Sequence, residues 1–110
     1  MADGQVGEPF KRISVDEARE LIDSGTVKVI DVREPSEYAA GHIPDAELIP
    51  LAKVMANPEA VNYDNVVFVC EAGARSAVAA EFAASLGKQN LYNLEGGTGA
   101  WRKSGFPIDK

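Results

Sequence analysis

The sequence predicts an α/β protein built on a parallel sheet, and three observations carry that prediction. Short β-branched runs such as TVKVID (26–31) and NVVFVC (65–70) alternate with segments of helical character. Start and stop signals separate the two kinds of segment: Ser14 with Glu17 three residues on, then Gly25, Asn57-Pro58 and Gly87. Third, 110 residues suffice for one hydrophobic core. Strands that alternate with helices at this spacing pair in parallel through right-handed crossovers.

Taken in order, residues 1–9 read as a flexible arm, and residues 10–110 as one domain. Residues 10–13 form a first strand. Ser14 and Glu17 make a capping box for a helix whose apolar face is Ala18, Leu21 and Ile22, ended by Gly25. Residues 26–31 form a buried strand. Ser36 caps a short helical turn through Ala40, and GHIPDA (41–46) supplies turn residues. A brief strand at 47–49 precedes a helix at 51–56, stopped by Asn57-Pro58. Residues 65–70 are the most apolar strand and belong at the sheet centre. The segment CEAGARS (70–76) links it to an Ala-rich helix at 76–86. A strand at 90–94, a turn at 95–97 and a helix at 98–104 follow, closed by Gly105 and Pro107.

Composition narrows the chemistry. The chain carries 17 acidic and 11 basic residues, a net charge of -6, with a pI near 4.7. With no basic cluster, it has no surface for nucleic acid or an anionic membrane. One cysteine, Cys70, and one histidine, His42, leave no means for an internal disulfide or a Cys/His metal cluster. No metal or organic cofactor is expected. The N-terminus lacks a basic and an apolar region, and no apolar stretch approaches the roughly 20 residues of a membrane helix. A lone free thiol fits a reducing, cytoplasmic setting.

Cys70 ends a buried strand and is followed by Glu71, Ala72, Gly73, Ala74, Arg75 and Ser76. Small residues let the backbone curl so that successive N–H groups point inward, and the next helix adds its positive end. Arg75 adds a permanent cation. A helix terminus contributes ~0.3–2 kcal/mol to a nearby anion. One pKa unit is about 1.4 kcal/mol, so this brings a thiol from near 8.5 toward neutrality. A lone cysteine at a strand end is more often a packing residue; the tight glycine loop, the arginine and the helix start shift the balance to a reactive one.

At this point the sequence resembles the single-domain rhodanese family of sulfurtransferases. Four segments match in order: VIDVREPSEYAAGHIPDAELIP (29–50), VFVCEAGARSA (67–77), NLEGGTGAW (93–101) and GFP (105–107). The resemblance implies a rhodanese-like five-stranded parallel sheet with helices on both faces. It also implies that Cys70 carries sulfane sulfur as a persulfide. Glu71, Ala72, Gly73, Ala74, Arg75 and Ser76 fall on the loop around that sulfur, with Ser76 also placed to cap the helix. Asp31 and Arg33 fall on a strand-end Asp-x-Arg bordering the site, where Arg33 either pairs with Glu37 or meets substrate. His42 lies in a Gly-His-Ile turn, in a structural role before a general-base one. Gly96 and Gly97 permit close approach to the cysteine loop, and Trp101 anchors the last helix.

The implied activity moves sulfur from thiosulfate or a persulfide to a thiol, cyanide or a protein acceptor. Glu71, expected at the solvent-facing rim, and the acidic surface weigh against a dianion, favouring a persulfide over thiosulfate. The alternatives are a sulfur relay or a non-catalytic rhodanese-like binding module. A Cys-dependent phosphatase or arsenate reductase ranks lower, because four residues separate Cys70 from Arg75 where those enzymes have five.

Overall fold

Five strands pair edge to edge: β1 (Lys11–Ile13), β2 (Lys28–Asp31), β3 (Glu47–Leu48), β4 (Val66–Val69) and β5 (Leu91–Leu94). Their order is β1-β5-β4-β2-β3, and every neighbouring pair is parallel. The computed structural model describes residues 8–110; residues 1–7, most of the expected arm, lie outside the described residues. Among the described residues four helices join the strands and a fifth follows β5: α1 (Val15–Ser24), α2 (Pro35–Ala40), α3 (Leu51–Ala56), α4 (Ala74–Ser85) and α5 (Gly97–Lys103). A 3-10 turn at Pro58–Val61, which the sequence reading lacked, follows α3.

β4 lies at the centre, as its apolar run predicts, and all four of its residues are buried. Side chains alternate across a strand, so its two faces feed two cores. Val66 and Phe68 pack with Val54 of α3 and Ala79, Ala80 and Ala83 of α4. Val67 and Val69 pack with Ala18 of α1 and Trp101 of α5. Helices therefore cover both faces, as expected. Among the described residues no helix is long and apolar enough to cross a membrane.

The first helix starts as its sequence dictates. The Glu17 amide donates to Ser14 Oγ at 3.1 Å and the Ser14 amide to Glu17 Oε1 at 2.8 Å. Gly25 ends the helix at φ +75. Ser14→Ala removes one of these bonds and lowers stability by about 1 kcal/mol, read as a shift in the urea midpoint at constant slope.

Two helix starts differ from expectation. α2 begins at Pro35 rather than after Ser36, because proline suits the first helical position and Glu37 Oε1 accepts from the Glu34 amide at 2.9 Å. α4 begins at Ala74, two residues before Ser76. Gly73, at φ +107, is the cap, in a left-handed conformation that favours glycine. The loop is thereby shortened, and Arg75 and Ser76 enter the first turn of α4.

The connections reverse direction between two central strands. From β2 the chain moves outward to β3, whereas from β4 it moves the opposite way to β5. Such a switch point opens a crevice beyond the carboxyl ends of the strands. Asp31 ends β2 there, and Cys70 follows β4.

Candidate active site

The Cys70 side chain is 1% exposed, and the Gly73 amide donates to its Sγ at 3.1 Å. Burial pushes the thiol up. The Ser76 hydroxyl and the amides of Ser76, Gly73 and Ala72 oppose burial, and the thiol lies below its ordinary value. Three backbone donors converging on one sulfur form an anion nest at the start of α4.

The loop holds this shape because α5 takes its carbonyls. Thr98 donates to the Cys70 carbonyl from its amide at 2.8 Å and its hydroxyl at 3.2 Å. The Gly99 amide donates to the Glu71 carbonyl at 3.1 Å. A trans peptide places its C=O and N–H on opposite sides. Pinning the Glu71 carbonyl on α5 therefore turns the Ala72 amide back toward the sulfur. Gly97 makes the approach feasible: at φ +59, its missing Cβ would strike the carbonyls of Cys70 and Glu71.

A buried ion pair borders the loop. Arg33, 1% exposed, donates to Asp31, 0% exposed, through Nε at 3.0 Å and Nη2 at 2.8 Å. Arg33 also donates to the Gly41 carbonyl at 2.8 Å and reaches Glu71 at 3.2 Å. Burial disfavours the charged guanidinium, but the bonds to Asp31 and the fields of Asp31, Glu71 and Glu37 more than restore it. Arg102 of α5 donates to the other Glu71 oxygen at 3.3 Å. Glu71 thus sits at the rim, as expected, between two guanidinium groups.

Arg75 is held by α2. Its two Nη groups donate to Glu37 at 2.8 and 3.0 Å, a bidentate pair. That bond first, and then the Glu34 amide, holds the Glu37 carboxyl at about 2. A depressed carboxyl contributes stability above its unfolded value near 4.3, and this contribution is lost as pH falls through the folded value. Both side chains are about one-third exposed, so solvent limits the pair to about 1 kcal/mol or less. Glu37→Gln therefore lowers stability modestly at pH 7 and flattens its decline between about pH 4 and 2, measured by urea titration across that range.

A rhodanese-like domain model matches residues 14–104. The chain belongs to the rhodanese family. Thiosulfate sulfurtransferase GlpE from Pseudoalteromonas translucida is 34% identical over 93 residues, 84% of this chain and 89% of that one. The crystal structure of a rhodanese-related protein from Thermoplasma volcanium superposes with a TM-score of 0.79 at 32% identity, covering 90% and 97% of the two chains. The human single-domain sulfurtransferase superposes at 0.73 and 31% identity, covering 88% and 97%. The protein is a sulfurtransferase with the rhodanese fold.

In this rhodanese the loop 70–76, Asp31 and Arg33 come together at the switch point, but three contacts differ from expectation. Ser76 does not cap α4; it is fully buried in the first turn, with Oγ 3.3 Å from Cys70 Sγ. Arg33 pairs with Asp31, since the buried carboxylate leaves it no freedom to reach Glu37. Glu37 takes Arg75 instead. Ala72 and Ala74 are exposed; Ala72 reaches the sulfur through its amide alone, and Ala74 is the first residue of α4. His42 has a structural place: its ring stacks on Tyr38 at 3.7 Å, Nδ1 lies 2.8 Å from the Tyr38 carbonyl, and its backbone pairs with Asp109. Trp101 is buried and donates to the Pro107 carbonyl at 2.7 Å.

Sequence reasoning missed Asn93, Thr98 and Arg102. A polar residue on the inward-facing register of an apolar strand is the signal that marks Asn93, between Leu91 and Leu94. Thr98 and Arg102 carry no local signal, because their partners are about 30 residues away in the chain.

Proposed function

We propose that Cys70 is the sulfur-carrying nucleophile and that thiosulfate is a competent donor. The convergence of the Ala72, Gly73 and Ser76 amides on one buried sulfur carries this reading. The Cys70 thiolate attacks the sulfane sulfur of thiosulfate. The bond to the sulfonate sulfur breaks, and sulfite departs with the electron pair. Cys70 is left as a persulfide whose outer sulfur bears the negative charge within the amide nest. An acceptor nucleophile, a thiol in a reducing cytoplasm or cyanide in an assay, takes the outer sulfur and returns the Cys70 thiolate. A protein thiol is an acceptor of the same chemistry. Asp31 and Arg33 act as the rigid border that holds Glu71 and the loop, and Arg75 braces α4 against α2.

The expectation that a dianion is disfavoured rested on Glu71 as a free carboxylate and on the acidic surface. Arg33 and Arg102 each contact one of its oxygens, and this compensation supports thiosulfate, as does the activity named for the Pseudoalteromonas relative. Exposure to thiosulfate should add the mass of one sulfur, removable by reductant. A persulfide donor that loads the protein where thiosulfate fails would overturn the assignment of donor. Failure of both would return the protein to the class of binding modules.

A further inference from the structure

Behind the cysteine lies a buried polar relay that the transfer steps do not use. Ser76 and Asn93 are both 0% exposed. Ser76 Oγ lies 2.5 Å from Asn93 Oδ1 and 3.3 Å from Cys70 Sγ. Asn93 is fixed at its other end, where Nδ2 donates to the Gly73 carbonyl at 3.1 Å and to Glu95 Oε2 at 2.6 Å. Both of those partners are acceptors, so the amide cannot be turned over, and its carbonyl oxygen must face Ser76. Arg12 in turn donates to Glu95 Oε2 at 3.1 Å.

A hydroxyl has one proton. Here two buried acceptors compete for it, and the nearer one is an amide oxygen for which the described residues provide no other donor. We propose that Asn93 is a positioning residue that holds the Ser76 proton away from Cys70, making the hydroxyl an acceptor for the thiol rather than a donor to the thiolate. In the resting thiol, S–H donates to Ser76 Oγ while Ser76 donates to Asn93. When the thiolate forms, it takes the Ser76 proton only by leaving Asn93 Oδ1 buried and unpaired, a substantial penalty. Once sulfur is loaded, Cys70 Sγ is bonded to sulfur and uncharged, so Ser76 has no competing anion and stays with Asn93. The relay therefore restrains the free thiolate relative to the loaded form. The Ser76 hydroxyl, 3.3 Å from the sulfur, opposes burial only when its proton leaves Asn93, and until then the lowering of the thiol falls to the backbone amides.

Among the described residues the charged groups around Cys70 are Asp31 at the end of β2, Arg33 two residues beyond it, Glu71 in the loop, Arg75 on α4 and Glu95 after β5. The variants below leave all of them in place. The proposal rests on Cys70 being the reactive thiol, but its readout is the titration itself. Cys70 is the only cysteine, so thiolate ultraviolet absorbance, with Cys70→Ser as blank, reports one group whether or not turnover occurs. Ser76→Ala should leave the thiol pKa within about 0.3 of wild type, since the hydroxyl gives the thiolate little net help. Asn93→Leu should lower it by about one, because the freed proton makes a charge-assisted bond to sulfur. In the Ser76→Ala background Asn93→Leu should have no such effect. A rise of one or more in Ser76→Ala alone overturns the proposal, and that variant decides the matter even if Asn93→Leu fails to fold. An equal fall for Asn93→Leu with and without Ser76 overturns it as well.

Discussion

Cys70→Ser abolishes sulfur transfer, with a rate at least ~10³-fold below wild type, and leaves the fold in place. Serine presents a hydroxyl whose oxyanion is inaccessible at neutral pH, and it has no sulfur on which to carry a persulfide. The loop around it survives, because Thr98 and Gly99 hold backbone carbonyls and serine keeps an acceptor for the Gly73 amide that now bonds Cys70 Sγ. Stability should change by about 1 kcal/mol or less, the usual range for a near-isosteric exchange. Intact mass closes the test: wild type gains one sulfur from the donor and Cys70→Ser gains none. In wild type the rate of the first half-reaction should rise with pH through the thiol pKa. Because the hydrogen-bond donors around the sulfur outweigh burial, this rise comes at a lower pH than for a free thiol. Retained turnover in Cys70→Ser would end the covalent mechanism.

Arg33→Ala is the largest expected loss of stability, about 3–5 kcal/mol. The substitution leaves the Asp31 carboxylate with 0% exposure and no counter-charge, and it orphans the Gly41 carbonyl. Removing both charges together, as in Asp31→Leu with Arg33→Met, should recover much of the loss, since a buried pair contributes far less than the cost of breaking it. Urea denaturation of the two single variants and the double variant separates these quantities as a cycle. Activity divides differently. Without Arg33, Glu71 loses one guanidinium and the loop its tie to β2, so both variants should transfer sulfur less well, including the one whose stability returns.

Legibility followed the range over which each signal acts. The Ser14–Glu17 box, Gly25 and the run of β4 state their structure within a few residues, and the structure agrees. Cys70 was legible because a strand end, small residues and an arginine stand together. Helix starts were misjudged where one local rule displaced another. Serine is a preferred cap, yet Gly73 reaches the left-handed conformation that the turn after Cys70 demands, and it begins α4 early. Charge pairing was the least legible. Glu37 has Arg33 four residues before it in the sequence, but Asp31 is closer to Arg33 and buried with it, which delivers Glu37 to Arg75 across the fold.

The tethering of the loop to α5 bears on how such a site can change its cargo. Its first two carbonyls are fastened to Thr98 and Gly99, and its last residue, Gly73, is committed to the cap of α4. Between these fixed points only Ala72 is exposed and free of a side-chain partner. An inserted residue can therefore be accommodated at Ala72 and at neither end. Such an insertion widens the ring from one fitted to a single sulfur to one with room for a tetrahedral oxyanion, while leaving the nucleophile and the sheet beneath it undisturbed. The scaffold thus confines a change of chemistry to one peptide.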